Sequence, residues 1–355
     1  MDRRRRDFLD RLLTTPSPSG FETRGQRTWL EYVAEFADET QTDDYGNAVA
    51  VHEGGDGPHV AFAGHADEIG YIVRRIEEEG FLRIGPIGGA DRAVSRGQHV
   101  TVHADDGPVQ GVVGQTAIHL RKGKEEGEEV PDLPAQYVDV GAADEEEARD
   151  LVAVGDPVTV STTVRDLHGS RIAARGLDNR VGVWAAAEGL RRAAEADVDA
   201  TVSAVSTVQE EVGRQGARMV GFDLDVDAVV AVDVTHATDH PSLDAAQRGP
   251  ITLGDGPAVT RGSTNHPELV ALARAAAADA ELDVQLQATG TATGTDADAF
   301  YVARGGTPAL YVGIPNRYMH TPVEVVDLDD LDDVATLLGA MAERGADREG
   351  FAVEI

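Results

Sequence analysis

Four apolar, β-branched runs in this 355-residue chain each end close to a side chain that binds cations or moves protons. His59-Val60-Ala61-Phe62-Ala63 leads into His65, Thr201 to Val208 into Glu210 and Glu211, Ala228 to Val232 into Asp233, and Ala309 to Gly313 lies shortly before His320. A further acid, Asp178, precedes an Ala-rich helical stretch. Residues so far apart in sequence meet when they come off neighbouring strand ends, because an open parallel α/β sheet gathers functional groups in the crevice outside its carboxyl ends. The pattern predicts an α/β fold with a site at the mouth of its sheet.

The texture changes in the middle. Over 69–164 the chain becomes short alternating strands with Gly-rich turns, such as Tyr71 to Ile76 and His99 to His103. This reads as a small β-domain, 69–164, inserted into a catalytic domain made of 1–68 and 165–355. Helices are predicted over Asp7 to Leu13, Glu22 to Phe36, Arg180 to Ala196, Pro267 to Ala280 and Asp327 to Arg344, and strands at Ala48 to His52 and His59 to Ala63. The charged stretch Arg121 to Glu129 reads as a mobile loop.

Composition bounds the setting. The formal net charge is −32, only Lys122 and Lys124 among the 31 basic residues are lysine, and there is no cysteine. Without thiols, a metal must be held by nitrogen and oxygen. So large an excess of carboxylates repels nucleic acid and anionic membranes, and it repels itself at low ionic strength. Multimolar salt removes that penalty, since the Debye length shrinks to about 3 Å near 1 M. Acidity together with scarce lysine predicts a protein from a halophilic archaeon, in preference to an ordinary acidic mesophilic enzyme. No apolar run is long enough to span a bilayer, and the arginines at 3–6 are followed by Asp-Phe-Leu-Asp-Arg instead of a secretory apolar core. The expected location is the cytoplasm.

Two His among several carboxylates suit a pair of divalent ions, which need one bridging carboxylate and terminal imidazole or carboxylate ligands on each side. Adjacent glutamates on a regular strand face opposite sides, so Glu210 and Glu211 share a site only if the strand ends at them, and Gly213 favours that. Each residue has a plainer reading. His65 or His320 alone would be a hydrogen-bonded structural residue, Glu210-Glu211 a solvated acidic pair, Asp178 a helix cap and Asp67 a surface acid. Their conjunction favours the site. His236 and His240 have the spacing of a helical metal pair, but Asp239-His240-Pro241 predicts a loop. Gly85 to Gly89 reads as a turn, Arg3 to Arg6 as a solvated helix start, and Asp329 to Asp333 as an acidic first helical turn suited to the dipole. Two competing functions are a glycoside hydrolase using Glu210 and Glu211 as paired carboxylates and a non-catalytic assembly protein on a hydrolase scaffold. The first leaves both His and Asp233 idle, and the second predicts a lost ligand.

Pro18-Ser19-Gly20-Phe21-Glu22, Gly64-His65-Ala66-Asp67-Glu68-Ile69-Gly70, Gly176-Leu177-Asp178-Asn179-Arg180, Gln209-Glu210-Glu211-Val212-Gly213, Gly294-Thr295-Asp296-Ala297 and Gly313 to Glu324 resemble, in order and spacing, the TET-type metallo-aminopeptidases. The resemblance runs essentially end to end, and Gly111 to Gly114 and Tyr137 to Gly141 in the insert are similar as well. It implies a central mixed, mostly parallel sheet flanked by helices, of the zinc-peptidase type, with an inserted small β-barrel-like dimerisation domain. It implies that Asp178 bridges two ions, that His65 and Asp233 complete one site and Glu211 and His320 the other, and that Glu210 is the general base. Asp67 would accept the other imidazole N–H of His65 and fix its tautomer. The implied cofactor is two divalent metal ions per subunit, zinc first and cobalt or manganese next. Peptide substrates would be cut from the N-terminus. The resemblance also implies a homo-oligomer, dimers forming the edges of a hollow tetrahedral dodecamer, with 121–129 reaching toward a neighbouring site. From the residues alone, an insert remote from the ligands has little chemistry to contribute and reads as an isologous dimer surface.

Overall fold

The computed structural model describes residues 1–120, 130–243 and 249–355. Helices α1 (Arg3–Thr14) and α2 (Thr23–Val33) precede strands β1 (Glu39–Thr42), β2 (Ala48–His52) and β3 (His59–His65). Next come β4 (Gly70–Ile76), β5 (Leu82–Ile87), α3 (Arg92–Ser95), β6 (His99–Ala104), β7 (Gly107–Val113), β8 (Tyr137–Asp139), α4 (Glu145–Leu151) and β9 (Pro157–Val160). The chain continues with β10 (Arg165–Asp166), β11 (Arg171–Ala174), α5 (Leu177–Ala196), β12 (Thr201–Thr207), α6 (Gln215–Asp223) and β13 (Ala228–His236). Last are β14 (Ala258–Arg261), α7 (Pro267–Asp279), β15 (Gln285–Ala288), α8 (Ala297–Phe300), β16 (Ala309–Asn316), β17 (Glu324–Asp327) and α9 (Leu328–Gly345).

The four apolar runs are neighbours. The large sheet has the order β1-β2-β12-β3-β13-β16-β14-β15, and its centre, β12-β3-β13-β16, is parallel throughout. These strands are buried almost end to end, which is why they read as continuous apolar stretches instead of alternating ones. Antiparallel pairings at β1–β2, β2–β12 and β14–β16 make the sheet mixed. Helix α5 packs across the central strands with Val181, Val183, Trp184 and Leu190 fully buried. Glycines allow that approach, since a Cβ on Gly64 would lie 2.6 Å from the carbonyl carbon of Gly182.

Strands β4-β5-β8-β7-β6-β9 close into a barrel. Its interior is a separate apolar cluster that includes Val73, Ile84, Val100, Val102, Val138 and Val158. Burial alternates along β6, the period-two pattern of a sheet with one face turned inward. The mixed α/β sheet with its flanking helices and a small closed barrel is the predicted fold class. No helix among the described residues is long and apolar enough to cross a membrane.

Two local expectations are corrected. Helix α1 starts at Arg3, capped by Asp2, and Arg5 is not a solvated helix start: it pairs with Asp2, Asp332 and the buried Glu188. Gly85 to Ile87 belong to β5, and the turn begins only at Gly88, where φ is +62°. The acidic first turn of α9 is as expected, and within it Asp330 is fully buried, its carboxylate accepting the N–H groups of Gly254 and Gly256 at 2.8 and 2.9 Å. The stretch Arg121 to Glu129 lies outside the described residues.

Candidate metal centre

His65 ends β3, and Asp233 lies within the adjacent β13, just past the point where the two strands part. The β3–β13 ladder stops at Ala63 and Ala231, short of both residues. The carbonyl of Val232 instead accepts the side-chain amide of Asn179 at 2.8 Å. Asn179 also takes the capping role at the start of α5, its Oδ1 accepting Gly182 N–H at 2.9 Å. Asp178 is therefore no cap: its backbone is non-helical and its carboxylate faces the crevice. His65 Nε2 lies 3.2 Å from Asp178 and 3.7 Å from Asp233, and all three residues are buried.

The other ring nitrogen of His65 faces Asp67, 3.3 Å from its carboxylate and 3.2 Å from its carbonyl oxygen. Asp67 is completely buried, not a surface acid. Its oxygens also accept the Ser19 hydroxyl at 2.6 Å and the backbone N–H groups of Glu210 and Glu211 at 2.9 and 3.1 Å. One carboxylate thus orients a candidate donor and fixes the turn carrying the glutamate pair.

That turn exists because β12 ends at Thr207. Gln209 then adopts a left-handed φ of +56° and its N–H reaches Glu22 at 3.2 Å, so both glutamates leave strand geometry and line one cavity. Glu210 approaches His65 at 3.9 Å, whereas Glu211 approaches His320 at 3.5 Å. His320 Nε2 is also 3.3 Å from Asp178, on the carboxylate oxygen opposite the one facing His65. Its Nδ1 lies 3.1 Å from the carbonyl oxygen of Gly89. A Cβ on Gly89 would sit 2.6 Å from that nitrogen, and one on Gly88 would lie 3.0 Å from Glu211 Cβ. The segment leaving β5 of the barrel toward α3 therefore touches the site, and the insert is not remote from it.

The donor set suits cations. His65, Asp178 and Asp233 form one group, and Asp178, Glu211 and His320 another, each offering donor atoms within 4.8 Å of one another. Oε1 of Glu211 is buried with no hydrogen-bond partner among the described residues. Burial pushes the Glu210, Glu211 and Asp233 carboxyls up, with neighbouring carboxylates adding to the effect. Burial works against ionisation of Asp178 too, but hydrogen bonds from His320 and His65 hold it well below the usual range. A hydrogen bond to Asp178 raises His320. Crowded, poorly compensated buried carboxylates of this kind favour hard or borderline divalent ions. The residues line a cavity of about 550 Å³.

The sequence reading gave Ser19, Glu22, Gly88, Gly89, Thr295 and Glu324 no role. Thr295 donates its hydroxyl to Asp233, and Glu324 accepts the N–H groups of Asp178 and His320 at 2.8 and 3.1 Å. The available signals were proximity to the motifs, as for Ser19 and Glu22, and the position of Glu324 shortly after His320. His236 ends β13, and the His240 ring packs edge-on against Tyr318 at 5.3 Å, so the two are not a helical metal pair.

The family model for M42 glutamyl aminopeptidases matches residues 46–337. The chain belongs to the M42 family. It is a peptidase of the aminopeptidase class, and the His/Asp/Glu cluster fits the metal dependence of M42 enzymes. A lysyl aminopeptidase of Pyrococcus furiosus is 33% identical over 342 residues, covering 95% of this chain and 96% of that protein. The TET aminopeptidase of a marine-sediment Thaumarchaeota archaeon superposes with a TM-score of 0.90 at 29% identity, covering 96% of each chain. The Pyrococcus horikoshii TET1 peptidase, which can assemble into a tetrahedron or a large octahedral shell, gives 0.84 at 29% identity over 95% of this chain and 99% of that one. The TET resemblance and the fold class it implied both hold for this M42 chain.

Proposed function

We propose that this M42 peptidase is a dinuclear metallo-aminopeptidase that removes N-terminal residues from peptides. The observation carrying the proposal is the position of Asp178, whose two oxygens face the two imidazoles and which belongs to both donor groups. His65 and Asp233 would hold one ion with it, and Glu211 and His320 the other. Zinc is the first candidate, with cobalt or manganese next. Bound there, the ions would lower the pKa of the attacking water and polarise the scissile carbonyl.

The chain's own residues supply the rest. Glu210 belongs to neither donor group yet lines the same cavity, which suits a general base that takes the water's proton and returns it to the leaving amine. Asp67 keeps the Nε2 of His65 facing the cavity and pins the Glu210 backbone. Gly89 does for His320 what Asp67 does for His65, since its carbonyl favours a proton on Nδ1 and leaves Nε2 as the donor. A glycosidase using Glu210 and Glu211 would leave His65, Asp233 and His320 without a role.

The test is metal removal from the full-length protein in high salt. The stripped enzyme should not hydrolyse chromogenic aminoacyl amides, and zinc or cobalt should restore activity. Full activity after verified stripping would contradict the reading. The domain division 1–68 plus 165–355 and 69–164, with the barrel as a dimer surface within a tetrahedral dodecamer, belongs to the same proposal. Light scattering at the 37.5 kDa chain mass would refute assembly. The net charge of −32 supports a halophilic setting, and a melting temperature flat from low to multimolar KCl would reject it.

A further inference from the structure

Glu324 is 1% exposed and opens β17, where it pairs with Ala174 of β11 shortly before the segment that carries Asp178. Its two oxygens serve two separate pieces of chain. Oε2 accepts the N–H of Asp178 at 2.8 Å, and Oε1 accepts the N–H of His320 at 3.1 Å. Among the described residues no arginine or lysine pairs with it. A buried carboxylate without a cationic partner is costly unless its hydrogen bonds hold something in place.

His320 needs such an anchor. It sits at φ +63° shortly after Tyr318 at +62°, in a loop closed where Arg317 and Val325 exchange backbone hydrogen bonds. Left-handed backbone persists in a non-glycine residue only when its surroundings determine it. The Glu324 carboxylate folds back across this loop onto the His320 N–H. Asp178 has an independent hold, because the adjoining Asn179 is tied to both Val232 and Gly182. His65 and Asp233 are fixed by Asp67, Thr295 and their strands, and none of these contacts involves Glu324.

We infer that Glu324 is a positioning residue for one half of the centre: by holding the Asp178 and His320 backbones at a set spacing, it governs affinity for the ion at Asp178, Glu211 and His320. The ion at His65, Asp178 and Asp233 does not depend on it. The inference rests on the two-ion reading above.

Zinc titration of the metal-stripped, full-length protein, followed by calorimetry and repeated with cobalt absorption, tests it. Wild type should take up two equivalents. Glu324→Gln, which replaces one accepting oxygen by an amide donor, should bind the first equivalent as wild type does and the second about 10–100-fold more weakly. Glu324→Asp keeps the charge but is too short to span both N–H groups, and it should weaken the second equivalent alone, which covers the case of a Gln variant that does not fold. Asp330→Asn is the matched control: a buried carboxylate that also accepts two backbone N–H groups, with no donor residue in contact. Unchanged second-ion affinity in both Glu324 variants, equal weakening of both ions, or the same loss in Asp330→Asn would overturn the inference. Wild type saturating at one equivalent would instead overturn the two-ion reading itself.

Discussion

The two donor groups share Asp178 but are built from different material. The inner group takes His65 from the end of β3 and Asp233 from within β13, adjacent parallel strands in the centre of the sheet, and its three residues are all buried. The outer group takes Glu211 from a turn and His320 from a loop, and Glu211 and His320 are partly exposed. The ladder with β12 runs as far as His65, and the ladder with β16 runs through Asp233 to His236. The carboxylates of Glu22, Asp67 and Glu324 reach across to the turn and the loop, which are otherwise closed by their own backbone hydrogen bonds, and the segment between β5 and α3 touches His320. Strands at the core of the fold therefore hold one candidate donor group, whereas the other sits on a turn and a loop tied by individual side-chain anchors.

Replacing the proposed base should have the largest effect and should spare both groups. Glu210→Gln is expected to lower kcat by about 10²–10⁴ while metal analysis still finds both ions. Loss of ions from this variant, with retention in Glu211→Gln, would mean that the two glutamates are assigned the wrong way round. Gly89→Ala separates the groups. Its new Cβ would fall 2.6 Å from His320 Nδ1, so affinity for the outer ion should drop by roughly 10–100-fold with the inner ion unchanged. Equal loss of both ions would show that the halves are not independently supported.

The smallest effect concerns an acid that is anchored like Glu324 but serves neither group. Burial lifts Asp330 from 3.8 to about 7 in the folded protein. The folded state then holds a proton that the unfolded state releases, so this group's stabilising contribution is complete below pH 3.8 and is lost as pH rises through about 7. Asp330→Asn removes that dependence. It should destabilise by about 1 kcal/mol at low pH through a poorer hydrogen bond, and the deficit should shrink or reverse above pH 7. Melting temperatures of wild type and variant across pH 5–8 provide the check, and a constant difference would contradict it.

The sequence made the inner half legible and the outer half only in part. Strands buried on both faces leave continuous apolar runs, and their ends point to His65 and Asp233 directly. The barrel was readable from its alternation, as at Val100 and Val102. The Glu210-Glu211 turn was legible as a strand that had to end, but the reason it holds its shape was not, because Asp67 and Glu22 lie far away in sequence. Locally, Gly89 reads as part of a plain turn and Asp330 as one of several acids in a first helical turn suited to the dipole. Both gain their roles from tertiary contacts, to His320 and to the Gly254–Gly256 loop, that no local pattern records.

Anomalous diffraction at the zinc edge, from crystals of the full-length protein prepared with limiting and then saturating zinc, addresses the difference between the two halves most directly. The expected result is one peak among His65, Asp178 and Asp233 at limiting zinc, joined at saturation by a second among Asp178, Glu211 and His320. A single peak at saturation, a peak remote from Asp178, or filling of the His320 side first would contradict it.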